Sequence, residues 1–249
     1  IIAGDIFDRA VPSSQSMRLF GRWLGELRSF APALPIVIIA GNHDNGPRLA
    51  WAASLLDEAH VYLRGETDRV DEPIEVVGTG GDCAQVWALP FLMAGALDWN
   101  VSSQVEAMDE ALRRIRLRWD TEKAQVLVAH CFVREGKVSD SERTLVGTAT
   151  QIDPDVFAGF DYVALGHLHR PQKAGPNARY SGSIARYSFS EARHDKSITA
   201  IEVRRGAPYR HVLHALRCLR GMRRLTDSLT AFCDDPNYIE MLDDYVELT

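Results

Sequence analysis

The order of hydrophobic and polar segments predicts an α/β fold in which two sheets pack between helices. Strand and helix patterns alternate as far as Pro171, and short β patterns then follow one another. An alternating region followed by a run of strands is typical of layered domains that combine helices with more than one kind of sheet. With 249 residues, 46% of them hydrophobic, the chain can form one large core and a small appendage.

The pattern predicts three clear helices. The first covers residues 13–30 and ends before Pro32. The second covers residues 49–59, and the third begins at Ser103, where Glu106 completes a capping box. In the first and third helices, apolar residues recur every three or four positions, which places them on one buried face. These residues are Met17, Phe20, Leu24 and Leu27 in the first helix, and Val105, Met108, Leu112, Ile115 and Trp119 in the third.

Short apolar runs without polar alternation predict strands that are covered on both faces. The clearest runs are residues 36–40, 126–129 and 162–165. Because no apolar run reaches 18 residues, the sequence indicates a soluble protein. The polar, turn-rich residues 133–150 are long for a loop, which favours a functional role. Further strands are expected at residues 1–3, 61–63, 74–77, 86–89, 180–183, 198–203, 209–213 and 245–248.

The cysteines indicate a reducing compartment. They form no Cys-x-x-Cys pair, so we expect free thiols rather than a zinc ribbon or a disulfide framework. The chain opens in a strand rather than at Met, so a targeting segment can be neither recognised nor excluded. Because free thiols are typical of a reducing cytosol, we expect a cytoplasmic protein. The four cysteines are Cys83, Cys131, Cys218 and Cys233.

The charge distribution is uneven along the chain. A net charge of -6 argues against non-specific coating of nucleic acid, because that mode depends on Lys and Arg neutralising phosphates. Residues 170–210, however, hold nine Lys and Arg against three Asp and Glu. Chance asymmetry on a solvated surface and a DNA-binding face both fit this excess.

Four polar clusters each follow a predicted strand. They are Gly4-Asp5, Gly41-Asn42-His43-Asp44, His130 and Gly166-His167-Leu168-His169. Because open α/β sheets bind ligands at the carboxyl ends of their strands, the clusters could meet at one rim. Carboxylate, amide and imidazole ligands together favour Mn²⁺, Fe or Zn²⁺ in hydrolytic chemistry. The sequence therefore predicts a two-metal hydrolase whose glycines allow close backbone approach.

These motifs resemble the second to fifth motifs of the calcineurin-like metallophosphoesterases. For this comparison the first cluster is extended to Gly4-Asp5-Ile6-Phe7-Asp8. Residues 164–172 and 180–197 are similar to the SbcD-type DNA-repair nucleases, the bacterial counterparts of the Mre/Rad nuclease. The resemblance implies a four-layer α/β/β/α fold with two packed mixed sheets over residues 1–215. Residues 216–249 would begin a small α+β capping or DNA-binding domain. The family's first motif, Asp-x-His, has no match because the sequence begins after it.

The resemblance implies a ligand for each metal ion. Asp5 would bridge two divalent ions, and Asn42, His130 and His167 would complete one of the two sites. His169 would bind the other ion. Mn²⁺ is the expected metal, with Mg²⁺, Fe or Zn²⁺ as alternatives.

Catalytic and DNA-binding roles are also implied. His43 resembles the family's catalytic histidine, placed to stabilise or protonate the leaving oxygen, and Asp44 would orient it. Within the basic stretch, Arg170, Lys173 and Arg186 are the expected DNA contacts.

The implied function is DNA hydrolysis in double-strand break repair, recombination and replication. The activities would be a 3′–5′ exonuclease on duplex DNA and an endonuclease on single-stranded or hairpin DNA. The implied partner is an SbcC-like coiled-coil ATPase, in a heterotetramer containing a dimer of this protein. A phosphatase, a cyclic-nucleotide phosphodiesterase and a catalytically silent DNA-end scaffold remain alternatives. Asp44, where phosphatases of this fold usually carry Glu, favours the nuclease.

Overall fold

The computed structural model describes residues 1–78, 80–142, 151–241 and 243–249. The helices are α1 (Ser14–Phe30), α2 (Gly46–Leu49), α3 (Ala53–Asp57), α4 (Gln104–Arg116) and α5 (Leu229–Asp234). The strands are β1 (Ile36–Ile39), β2 (Val61–Arg64), β3 (Ile74–Val77), β4 (Cys83–Leu89), β5 (Ala124–His130), β6 (Phe132–Val133), β7 (Gln151–Ile152), β8 (Tyr162–Gly166), β9 (Gln172–Lys173), β10 (Ala178–Tyr180), β11 (Ser197–Glu202), β12 (Arg210–Ala215), β13 (Met222–Leu225) and β14 (Tyr245–Leu248). Short 3-10 helices cover Ala94–Ala96, Pro154–Phe157, Phe189–Glu191 and Pro236–Met241.

The largest sheet is mixed and has the strand order β3-β4-β5-β8-β10-β9. Strands β4, β5, β8 and β10 run parallel, and the edge strands β3 and β9 are antiparallel to their neighbours. Every residue of β5 is buried, as expected for a central strand covered on both faces. In the pairing of β5 with β8, His130 lies opposite Gly166. Both strands therefore end at the same edge of the sheet.

A second sheet contains β1 and β2, which pair in parallel. Ile2 extends it by a parallel bridge to Ile38, with hydrogen bonds from Ile2 N to Val37 O (2.8 Å) and from Ile39 N to Ile2 O (3.1 Å). Residues 1–3 thus lie beside β1 as predicted, but they are joined to it by an isolated bridge and Ile1 is 56% exposed, so they do not form the buried strand that the sequence suggested. The first polar cluster begins beside the carboxyl end of β1.

The two sheets pack face to face between helices. Alternate side chains of β1 point to opposite faces, so Val37 and Ile39 contact the large sheet while Ile36 and Ile38 contact α1 and α3. The opposite face of the large sheet is covered by α4, whose Leu112 is fully buried there. The layer order is thus α/β/β/α, and the predicted fold class is confirmed.

Two predicted helical features differ from the structure. The helix expected over 49–59 divides into α2 and α3, because Asn45 caps a short helix containing Pro47 and the chain turns at residues 50–52. On α1, Met17 is 45% exposed, because the contacts of this helix with the sheet come from later residues. Those residues are Phe20, Leu24 and Leu27.

Other predicted boundaries also shift. Trp119 lies beyond the end of α4 and packs edge-on against Phe160, with ring centroids 5.0 Å apart. The strand expected over 180–183 is β10, which ends at Tyr180. Gly182 soon afterwards has φ +83°, a left-handed conformation that does not continue a strand. The chain is therefore free to turn towards the polar edge of the sheet.

The last part of the chain adds two small sheets. The antiparallel pair β11-β12 packs against the core that contains β1 through Ile201 of β11 and through Val203 and Tyr209 of the connection between the two strands. Strands β13 and β14 pair in parallel, with α5 between them in the chain. The division of the chain at residues 215 and 216 stays a prediction. In the ranges that the structure describes, no helix is both long and apolar enough to cross a membrane.

Candidate metal centre

The predicted polar clusters meet where the strands of the two sheets end. Gly41 and Gly166 permit the close approach that this requires. A side chain at Gly41 would collide with the carboxylate of Asp5, and one at Gly166 would collide with the backbone carbonyl of Ala3. Only glycine fits these positions without displacing the neighbouring strand end.

Four of the five predicted metal ligands converge at this edge. The carboxylate of Asp5 and ring nitrogens of His130 and His167 all lie within 4.8 Å of one another. The side-chain oxygen of Asn42 lies 2.9 Å from His130 Nε2 and 3.0 Å from His167 Nδ1. Asp5 Oδ2 lies 3.3 Å from His130 Nε2. The sequence predicts that these residues lie at one edge of the sheets, and in the structure their candidate ligand atoms lie close together.

The hydrogen bonds of His130 show that this cluster fits a cation. His130 Nδ1 lies 2.7 Å from the carbonyl oxygen of Ala3, which can only accept, so Nδ1 carries a proton. In the neutral ring, Nε2 then carries a lone pair, and this lone pair faces the oxygens of Asn42 and Asp5. Three acceptors that face one another repel unless a proton or a cation lies between them. A divalent cation satisfies all three, because they are the ligand types that such ions take in hydrolytic sites.

The electrostatics of the cluster keep its side chains in the forms that bind cations. Burial raises the pKa of Asp5, but a hydrogen bond and positive charge from the protonated form of His130, together with the His43 backbone N–H, outweigh burial and lower that pKa to about 2. Burial and the neighbouring His130 lower the pKa of His167 to about 3. At neutral pH the carboxylate of Asp5 is therefore ionised and the ring of His167 is neutral.

Backbone strain is concentrated at the same place. Asp5 has φ +53° and His167 has φ +107°, in the region that residues with side chains rarely adopt. Such strain persists where surrounding contacts hold it, and it is typical of functional sites. Here it turns each ligand sharply out of the end of its strand.

The fifth predicted ligand, His169, lies outside this group of three and has a different environment. Its Nδ1 is 2.9 Å from Glu191 Oε1 and 2.9 Å from the hydroxyl of Ser141. Glu191 also forms an ion pair with Lys196, at 2.6 Å. Burial raises the pKa of Glu191, but hydrogen bonds from His169, Lys196 and Ser141 outweigh it and lower that pKa to about 2. The imidazole therefore faces a carboxylate on its Nδ1 side.

His43 and Asp44 contact different partners from those that the sequence suggested. His43 Nδ1 lies 3.0 Å from the backbone carbonyl of Asp8. The carboxylate of Asp44 instead accepts hydrogen bonds from backbone N–H groups of Gly41 (2.8 Å), Ile6 (3.0 Å) and Phe7 (3.0 Å). Asp44 thus fastens the turn after Asp5 to the turn after β1, because three N–H groups converge on it. The structure assigns the orientation of the His43 ring to the Asp8 carbonyl.

The three predicted DNA contacts have unequal freedom. Arg170 and Lys173 are exposed, and neither forms an ion pair with another described residue. The guanidinium of Arg186 donates two hydrogen bonds to the carbonyl of His194, at 3.0 and 3.1 Å. Lys196, which contributed to the basic excess, is buried. The excess in residues 170–210 therefore overstates the positive charge that faces solvent.

The loop that the sequence marked as functional is described in part. Residues 143–150 lie outside the described residues. Just before them, Ser141 contacts His169 as described above, and the carboxylate of Glu142 accepts a hydrogen bond from the His169 backbone N–H. The roles of Ser141, Glu142, Glu191 and Lys196 were not foreseen, because polar residues in loops show no periodicity that would indicate burial.

The fold and the site together define a class of protein. A four-layer α/β/β/α domain with Asp, Asn and His ligands at adjoining strand ends is the framework of a metal-dependent phosphoesterase. The chain belongs to the calcineurin-like phosphoesterase family, whose sequence model matches residues 1–171. It is also similar to the D subunit of the nuclease SbcCD from Staphylococcus epidermidis (strain ATCC 12228 / FDA PCI 1200), with 32% identity over 229 residues. That match covers 89% of this chain and 60% of the relative, so the chain spans about three fifths of the relative's length.

Proposed function

We propose that this protein is a Mn²⁺-dependent DNA nuclease that acts in double-strand break repair. The observation that carries the proposal is the convergence of the Asp5, Asn42, His130 and His167 ligand atoms on one point. Similarity to part of an SbcCD nuclease supports DNA as the substrate. The proposed activities are 3′–5′ exonuclease action on duplex DNA and endonuclease action on single-stranded or hairpin DNA.

The chain's own residues have separate roles in this proposal. Asp5, Asn42, His130 and His167 would hold one divalent cation, and His169, together with Asp5, would contribute to a second. Bound cations supply positive charge and Lewis acidity to a phosphodiester. The ionised carboxylate of Asp5 is the only one in the set that can be shared between two ions. The imidazole rings and the Asn42 amide would complete the ligand set without adding negative charge, which would repel a phosphodiester.

His43 acts on the leaving oxygen. When its Nδ1–H donates to the carbonyl of Asp8, the protonated ring presents Nε2–H as an acid. The side chain of His43 is only 12% exposed, so the ring is held rather than free to rotate. Asp44 is a positioning residue, because it fixes the turn that carries Asp5 and Asp8.

The partners follow from the same similarity. We propose that the protein acts with an SbcC-like coiled-coil ATPase, as a dimer within a heterotetramer, on DNA in the nucleoid. Residues 216–249 would begin the capping domain. Co-purification of the full-length protein with such an ATPase, and the mass of the complex by light scattering, test this assignment.

The central experiment compares substrates with the full-length protein. With Mn²⁺ it should hydrolyse bis-p-nitrophenyl phosphate and degrade 3′-labelled duplex DNA, and EDTA should abolish both activities. If the protein cleaves p-nitrophenyl phosphate but not DNA, it is a phosphatase. If it cleaves a cyclic nucleotide but not DNA, it is a cyclic-nucleotide phosphodiesterase. DNA-end binding without any hydrolysis would assign a scaffold, and any of these results overturns the proposal.

A further inference from the structure

A buried pair of opposite charges lies beside the candidate metal centre. Glu191 is fully buried, and Lys196 is 2% exposed. Their contact of 2.6 Å is short and charge-assisted. Removing two charges from water is costly, and a buried ion pair often contributes little net stability compared with apolar residues of similar size. The position of this pair therefore calls for an explanation other than stability.

The pair and its neighbours hold His169 at three places. Glu191 Oε1 lies 2.9 Å from the His169 ring Nδ1, and Lys196 Nζ donates to the His169 backbone carbonyl at 2.9 Å. The carboxylate of Glu142 accepts from the His169 backbone N–H. Ser183 also contributes, since its N–H donates to the same carbonyl at 3.1 Å and its hydroxyl accepts from Lys196 at 2.7 Å. Ring, carbonyl and N–H are thus all fixed.

We propose that Glu191 and Lys196 are positioning residues that set the His169 ring as a metal ligand. A carboxylate can only accept a hydrogen bond, so it places the neutral ring's proton on Nδ1 and leaves the lone pair on Nε2. Lys196 donates to the other oxygen of the Glu191 carboxylate and also to the backbone carbonyl of His169. Outer partners of this kind fix the orientation of a ligating histidine and raise its affinity for metal. The inference rests on the proposed function, in which His169 serves the second ion.

Ser141 extends the arrangement to the loop before the undescribed residues. Its hydroxyl donates to Glu191, and its oxygen lies 2.9 Å from His169 Nδ1. Two distant stretches, residues 139–142 and 183–196, therefore close around one histidine. A pair that only joined these stretches would have no need to contact the imidazole.

The test uses two pairs of substitutions in the full-length protein. The double variant Glu191→Leu with Lys196→Met removes the acceptor and both charges, so that no unpaired charge remains to prevent folding. The matched control is Asp57→Leu with Arg64→Met, which removes a second ion pair (2.9 Å) whose described contacts do not include the metal ligands. Mn²⁺ binding is measured by calorimetry, and the His169 tautomer is read by ¹⁵N NMR of the metal-free protein.

The two variants should differ in both measurements. The Glu191/Lys196 variant should bind one Mn²⁺ normally and the other about 10- to 100-fold more weakly. Its His169 should lose the Nδ1–H form, whereas the control should keep the wild-type tautomer and both affinities. An unchanged tautomer with unchanged affinities overturns the inference. If wild-type protein binds no second Mn²⁺ yet His169 is in the Nδ1–H form, the two-metal function fails while the positioning of the ring stands. If the double variant does not fold, the smaller pair Glu191→Val with Lys196→Leu, which also removes the acceptor and both charges, is measured in the same way and decides the case.

Discussion

The carboxylate of Asp44 accepts a hydrogen bond from the backbone N–H of Phe7 at 3.0 Å, so a residue that follows β1 controls the turn that carries Asp5. Two more backbone N–H groups, of Ile6 and Gly41, share this carboxylate. Such a residue acts on the candidate metal centre through the backbone, although its sequence position beside His43 suggested that it orients the His43 ring.

Asp44→Asn should therefore weaken metal binding as well as turnover. The amide has one accepting oxygen for three N–H donors, and its NH₂ group would face a donor. A buried donor left unsatisfied costs about 1–3 kcal/mol, measurable as a loss of unfolding free energy in urea. If kcat alone falls, with stability and Mn²⁺ affinity unchanged, Asp44 acts on His43 as the sequence first suggested.

His43→Ala should reduce kcat by about 10² to 10⁴ while both Mn²⁺ affinities remain close to those of the wild type, because general acid catalysis contributes that much and the ring is not a ligand. Hydrolysis of bis-p-nitrophenyl phosphate and calorimetry check the two parts. His60→Ala is the control, since His60 is exposed and hydrogen-bonds to Tyr62 instead. Loss of metal from the His43 variant would make His43 a ligand.

Asp5→Asn should weaken both metal sites and abolish hydrolysis. A neutral amide lacks the negative charge and the second equivalent oxygen with which a carboxylate serves two cations. Mn²⁺ titration monitored by calorimetry, together with the phosphodiesterase assay, measures both effects. Near-normal activity at ordinary Mn²⁺ concentrations would contradict the two-metal assignment.

Charge reversal at Arg170 and Lys173 should weaken the binding and cleavage of DNA. It should leave the hydrolysis of bis-p-nitrophenyl phosphate unchanged. Each lost phosphate contact should lower the slope of log affinity against log salt by about 0.9 on duplex DNA. Arg186 is better tested separately, because its guanidinium holds the His194 carbonyl and its loss would disturb the loop.

The control for this charge reversal is the same change at Arg118 and Arg205. Arg118 lies before β5, and Arg205 is next to Gly206, whose N–H bonds to Asp161 ahead of β8. Both arginines are therefore near the edge of the sheet opposite the metal ligands. An equal effect of the two double reversals would mean that DNA approaches another face or responds only to net charge.

The ion pairs of Asp57 should make stability depend on acid pH. Burial raises the pKa of Asp57, but hydrogen bonds from Arg64 and Arg69 outweigh it, so the folded pKa lies below the ordinary value. The stabilisation is then present above the unfolded pKa of about 3.9 and is lost as pH falls through the folded value. Asp57→Asn should thus lower the unfolding free energy at pH 7, and the deficit should shrink below about pH 4. A deficit that is constant with pH would assign the effect to packing.

The sequence by itself predicted the layers and the residues of the candidate metal site. Continuous apolar runs predict β1, β5 and β8, and a polar residue directly after each run must appear at the carboxyl end of a buried strand. Asn42, His130 and His167 could therefore be placed on one rim. Their glycine neighbours were informative for the same reason, since close approach of strand ends leaves no room for a side chain.

Only the tertiary structure decided how these ligands are held. Glu191 and Lys196 follow no periodic pattern, and their burial depends on loops that fold back over His169 from distant parts of the chain. Likewise, Asp44 reaches the backbone of Ile6 and Phe7 rather than the adjacent His43, because the two strand-end turns face each other in space. Hydrogen bonds between loops depend on three-dimensional distance and direction, which local sequence spacing does not encode.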